Sequence, residues 1–217
     1  MDSFVHNVAG VRSAADLCAL ICSIGLFHEP RGLYGEYQRF MRPEGQGGLW
    51  QNPLELATFL WDNKQLFVDA GVKSYLDIGT FNGFTTFVIV EFLRAWVCRD
   101  LRAKTIDPNN WFAGQETERY IDYYCQCTVD DITEEYDLVF IDGLHEEPGP
   151  SHDFDAVKEF AKLVFFHDIN DRHCPYVVST FKNLETQYES KKTCLSHGVF
   201  GIGILNLTAP VPVPECL

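Results

Sequence analysis

The chain has 217 residues, 46% of them aliphatic, aromatic or cysteine, and a net charge of −14. That length and apolar share suit one globular domain with a substantial core. A surface this acidic repels phosphate backbones and argues against a nucleic-acid partner, and no apolar run approaches the ~20 residues of a membrane span.

Met1-Asp2-Ser3 lacks the basic and apolar regions of a secretory leader, so the chain is expected to be cytoplasmic. Residues 13–27 read as an apolar-rich helix with Ser13 at its N-cap. Such a helix covers the sheet, closes over a site or forms a dimer contact, so a homo-oligomer stays open. Residues 29–48 are rich in Gly, Arg and aromatics and lack periodicity, which predicts a long, lid-like connection. Asn52 and Pro53 then open a helix that runs to about Asp69.

From Val72 strands and helices alternate. Strands are predicted at 74–78, 103–106, 121–125, 136–141 and 162–166, and helices at 83–97, 115–120, 152–161 and 176–190. The stretch 198–207 reads as a last strand, stopped by Pro210, Pro212 and Pro214. Alternation of this kind, with near-continuous apolar strands, predicts an α/β fold: a doubly wound, mostly parallel sheet with helices on both faces. Ligands sit outside the carboxyl ends of such strands, where Gly79, Asp107, Asp142 and Asp168 fall.

The eight cysteines, Cys18, Cys22, Cys98, Cys125, Cys127, Cys174, Cys194 and Cys216, make no C-x-x-C pair. Free thiols in a reducing compartment are expected. Cys18 and Cys22, one helical turn apart, are expected to face the core.

Asp77-x-Gly79-x-x-x-Gly83 departs from the dinucleotide pattern G-x-G-x-x-G. An acid at the end of the first strand suits a cationic or zwitterionic ligand better than a pyrophosphate. Asp107, ending the next strand, suits a ribose diol. Together these residues resemble the class I S-adenosylmethionine (SAM)-dependent methyltransferases. The alternative is a generic strand-turn-helix with glycines for backbone reasons alone.

The resemblance implies a Rossmann-like, seven-stranded sheet. Asp77, Gly79, Thr80, Phe81 and Gly83 would line the amino-acid part of SAM, with Asp142 also beside the cofactor. Asp107 would hold the ribose, and Cys127 and Thr128 would flank the adenine. It divides the chain into an N-terminal helix and lid-like loop, residues 1–50, and a methyltransferase domain, residues 51–217.

Ile141-Asp142-Gly143-Leu144-His145, followed by Phe166-His167-Asp168, is similar to the cephalosporin- and sugar-modifying (rhamnosyl, macrolide) O-methyltransferases. Those enzymes are often metal-dependent, which implies a divalent cation on Asp142, His167 and Asp168. Oxygen ligands suit Mg²⁺; a His ligand shifts preference toward Mn²⁺, Fe²⁺ or Zn²⁺. His167 stands where those enzymes commonly carry an acid, and it serves as a ligand or as a hydrogen-bonded rim histidine. His145 and Asp142 are the catalytic candidates. His145 either takes a proton from the acceptor hydroxyl or only orients Asp142. Two departures stand out: residues 146–150 insert acids and prolines beside His145, and Phe160-Ala161-Lys162 replaces a Gly-Gly turn.

Trp50, Phe81, Trp111 and Phe112 are aromatic candidates for the rim. The expected function is methylation of a small hydroxylated acceptor, such as a sugar or glycan. A non-catalytic SAM-fold binding module and a nicotinamide-dependent oxidoreductase are the alternatives. Asp77 and the Asp-His rim argue against the oxidoreductase.

Overall fold

The apolar runs that precede a glycine or an acid in the sequence are strands, and their ends lie level. The computed structural model describes residues 1–196 and 198–210; Pro212, Pro214 and Cys216 lie outside them. Among the described residues the strands are β1 Ser74–Ile78, β2 Arg102–Ile106, β3 Tyr124–Cys125, β4 Leu138–Ile141, β5 Leu163–Phe166, β6 Tyr188–Thr193 and β7 Ile202–Pro210. They form one seven-stranded sheet in the order β3-β2-β1-β4-β5-β7-β6. The first five strands pair in parallel, and β7 runs antiparallel to both β5 and β6.

Every residue of β1, β4 and β5 is buried, so both faces are covered. Successive side chains alternate between two cores, as the period of two demands. Tyr75, Phe140 and Phe165 join one core with Phe59 and Phe87. Leu76, Val139 and Val164 join the other with Phe154, Val157 and Phe181. The helices behind the first core are α1 Asp2–Asn7, α2 Ala14–Ile24, α3 Pro53–Asp69 and α4 Phe84–Trp96; α5 Gly149–Val157 and α6 Pro175–Leu184 cover the second.

The first fifty residues share the first core with the sheet, through Phe4, Leu17, Ile21 and Leu26. Ser13 caps α2 by accepting from the Asp16 N–H at 3.1 Å. Asn52 caps α3 through Leu54 and Glu55 N–H groups. The long connection after α2 is ordered by backbone pairing. Leu26 N–H donates to Phe40, Arg42 N–H to Leu26, and Phe27 N–H to Leu49.

Registry sets the site. Ile78 pairs with Ile106 and Ile141, and Ile141 pairs with Phe166. The next residues, Gly79, Asp107, Asp142 and His167, therefore emerge side by side.

Three expectations are corrected. The helix expected at 115–120 is only a 3-10 turn, Glu118–Tyr120. The expected third strand shrinks to Tyr124–Cys125. The helix expected at 176–190 ends at Leu184, and Tyr188–Thr193 is an edge strand. That strand reads Tyr-Glu-Ser-Lys-Lys-Thr. It has no apolar face to announce it, and its charges suit an exposed sheet edge.

Candidate functional site

The turn after β1 is built for close approach of backbone. Gly79 has φ +106, and a Cβ there would lie 2.2 Å from the Asp142 carbonyl oxygen. Only glycine fits against the end of β4. Gly83, in the left-handed region, opens α4. Between them, Phe81 N–H donates to Asp107 Oδ2 at 2.9 Å, while Asp107 Oδ1 accepts from Asn109 N–H at 2.7 Å. The acid closing β2 thus fixes the turn closing β1. Asn82 Nδ2 donates to Gly48 O, tying the turn to the end of the long connection.

Two cavities meet at Gly79, Phe81 and Asp142. One, of about 600 Å³, is lined by Asp107, Trp111, Cys127, Thr128, Asp142 and Asp153, among others. The other, of about 350 Å³, lies beside Trp50, Gln51, His145, His167, Asp168 and Phe200. Aromatic rings form a wall along them. Phe27 stacks on Trp50 at 4.4 Å, Trp50 meets Phe81 edge-on at 5.7 Å, and Phe81 lies 6.4 Å from Trp111. Phe81, Asp168 and Phe200, the non-glycine residues with positive φ among those described, all border the smaller cavity. Strain of this kind concentrates at functional sites.

The smaller cavity holds an acid–histidine cluster. His167 Nδ1 lies 3.4 Å from Asp142 Oδ1 and 3.2 Å from Asp168 Oδ1; His145 Nε2 lies 3.5 Å from Asp142 Oδ1 and 3.3 Å from Asp168 Oδ2. These gaps exceed the 2.7–2.9 Å of a charge-assisted hydrogen bond. The buried Nε2 atoms of His145 and His167 have no hydrogen-bond partner among the described residues. The second oxygen of Asp142 accepts from Gln51 Nε2 at 2.8 Å, and Thr85 Oγ1 donates to Gln51 Oε1.

Burial pushes the Asp142 pKa up, but His167 and His145 outweigh it and hold it down to about 2. Contact with Asp142, then with Cys174, pushes His145 up to about 11. Burial pushes His167 down, yet Asp168 and Asp142 keep it well above the usual imidazole value. The two carboxylates thus favour the protonated form of His145.

No protein-family model matches the chain, and no curated protein matches it. Solved structures do. The O-methyltransferase from Bacillus cereus, in complex with SAH, matches with a TM-score of 0.52 at 14% identity, covering 95% of this chain and 91% of that one. The O-methyltransferase TomG from Streptomyces achromogenes, involved in tomaymycin synthesis and in complex with SAM, matches at 0.52 and 16%, covering 88% and 96%. A SAH-bound methyltransferase from Podospora anserina matches at 0.52 and 14%, covering 88% and 94%. At these identities the likeness is one of fold, and it agrees with the strand order.

The chain has the class I methyltransferase fold.

Within that methyltransferase fold, the sequence candidates fall into three groups. Gly79, Phe81, Asp107, Cys127, Thr128 and Asp142 line the larger cavity, and Gly79, Thr80, Phe81 and Asp142 the smaller. Asp142, His145, His167 and Asp168 cluster as described. Asp77 and Gly83 line neither cavity. Asp77 is buried in β1, accepts from Thr86 Oγ1, and has its pKa pushed up to about 8, first by burial. Gly83 packs on Phe112, which is core, whereas Trp111 is exposed at the larger cavity. Sequence reasoning missed Gln51 as the partner of Asp142, and it missed Cys174. Gln51 is 91 residues from Asp142 in sequence, so no local pattern could reveal the contact. The seven described cysteines are all free, and Cys18 and Cys22 are buried.

The donor set fits a divalent cation. Asp142, His167 and Asp168 each offer a ligand atom, and these atoms lie within 4.8 Å of one another. His167 Nδ1, 3.4 Å from Asp142 Oδ1 and 3.2 Å from Asp168 Oδ1, stands at gaps that suit ligands sharing a cation. The larger cavity is lined by Gly79 and Asp107 side by side, with Cys127 and Thr128. No helix among the described residues is long and apolar enough to cross a membrane.

Proposed function

We propose that the protein is a SAM-dependent O-methyltransferase acting on a small hydroxylated acceptor of about the size of a sugar. The observation that carries this is the junction of the two cavities at Gly79, Phe81 and Asp142, with His145, His167 and Asp168 on the smaller side. The I-D-G-x-H strand end and the following His-Asp pair support the sugar-modifying type of acceptor, and the charge of −14 supports a small molecule over a nucleic acid.

SAM would supply a methyl group on a sulfonium, already a good leaving group. The chain's own task is alignment and proton removal. Asp107 holds the ribose hydroxyls, and the backbone at Gly79 and Thr80 lets the methionine part pass close. Trp50, Phe81 and Phe200 present apolar faces to the acceptor and exclude water. Gln51 and Thr85 orient Asp142.

A divalent cation on Asp142, His167 and Asp168 would neutralise both carboxylates and lower the pKa of a hydroxyl brought beside it. His145, on the acceptor side, would take the acceptor's proton at Nε2 in its neutral form. The test is SAH release with a panel of hydroxylated acceptors, with and without divalent cations. SAH formed only in the presence of an acceptor supports the reading; no SAH with any acceptor, despite SAM binding, favours a non-catalytic module.

A further inference from the structure

Cys174 stands beside the acid–histidine cluster, and no step of the proposed transfer uses it. Its N–H donates to the Asp171 carbonyl at 3.0 Å, a turn that sets it at the N-cap of α6. There it is 8% exposed and lines the smaller cavity with His145 and Asp168. Ligand atoms of His145, Asp168 and Cys174 lie within 4.8 Å of one another. Asp168 divides its carboxylate: Oδ1 is 3.2 Å from His167 Nδ1, and Oδ2 is 3.3 Å from His145 Nε2. Two ligands held at about 2.0–2.1 Å on a tetrahedral zinc ion stand about 3.3–3.4 Å apart. His145 Nε2 is also one of the buried atoms without a hydrogen-bond partner among the described residues.

We propose that His145, Asp168 and Cys174 form a second cation site, adjoining the Asp142–His167–Asp168 set and sharing Asp168 with it, and that this site takes Zn²⁺. Thiolate, imidazole and carboxylate together are zinc ligands, whereas Mg²⁺ takes oxygen. Asp142 and Asp168 place two carboxylates on this rim, and the Cys174 thiol would give up its proton as zinc binds. An ion at this site withdraws the nitrogen that accepts a proton in the proposed methyl transfer, and so makes Zn²⁺ an inhibitor of that reaction. The site itself is tested without reference to methyl transfer.

The test is zinc-edge X-ray absorption on the full chain loaded with Zn²⁺. The expected shell has one sulfur at about 2.3 Å with nitrogen and oxygen at about 2.0–2.2 Å. C174S should lose the sulfur and weaken Zn²⁺ binding at least tenfold in competition with a chromophoric chelator, while C98S keeps both. A shell of nitrogen and oxygen alone in the wild type, or a sulfur that persists in C174S, overturns the proposal. Because C174S could misfold, the wild-type chain gives a second reading. Zn²⁺ should slow iodoacetamide alkylation of Cys174, mapped by peptide mass, at least tenfold; an unchanged rate there also overturns the proposal.

Discussion

Asp107 has two structural duties and one proposed chemical one. It accepts from the N–H groups of Phe81 and Asn109, and it lines the larger cavity. Asp107→Ala leaves two N–H groups without their acceptor and removes the partner of the ribose diol. SAM affinity should fall at least tenfold, by about 1.4–3 kcal/mol, measured by calorimetric titration; an unchanged affinity would remove Asp107 from the cofactor site. His145 belongs to the acceptor side. His145→Ala should lower turnover by about 10²–10⁴ while SAM affinity stays within a factor of two or so, a split that binding and initial-rate measurements resolve. Equal turnover in that variant would dispose of His145 as proton acceptor.

The strand ends and the turns between them decide where those residues stand. Gly79→Ala puts a Cβ 2.2 Å from the Asp142 carbonyl, in a backbone region that side chains avoid. The end of β4 must shift, and Asp142 with it. We expect a loss of stability of about 2 kcal/mol or more and no measurable SAM binding; denaturant titration alongside calorimetry checks both. A variant with wild-type affinity would mean that the turn does not shape the site.

At this scale the sequence was most legible where local chemistry sets the outcome. Ser13 and Asn52 announced the starts of α2 and α3, and the acids and glycines after apolar runs announced the ends of β1, β2 and β4. It was least legible where tertiary contacts decide. Tyr188–Thr193 is a strand only because β7 pairs with it. Glu55, on α3, accepts from Leu195 and Gly201 N–H groups, anchoring the segment that carries Phe200 to the cavity. The Cys174 thiol meets His145 only through the fold.

Across the whole molecule, the site's charges also act on stability. Asp77 is buried at the centre of the sheet with its pKa raised to about 8, against about 3.9 in an unfolded chain. Between those values the folded state holds a proton that the unfolded state has lost, so stability falls as pH rises through that window. Asp77→Asn removes this dependence. Its stability should decline less than the wild type's between pH 5 and pH 8, by on the order of 3 kcal/mol, read from denaturant melts at the two pH values. Parallel declines would contradict a protonated Asp77.

On the proposed function, the two joined cavities hold SAM and its acceptor. Calorimetric titration of the purified protein with SAM and with SAH, with and without Mg²⁺ or Mn²⁺, tests it most directly. Both should bind at micromolar Kd, roughly −8 kcal/mol, with one site per chain. Absence of binding for both ligands in every condition would contradict it, leaving a methyltransferase fold without the methyltransferase cofactor.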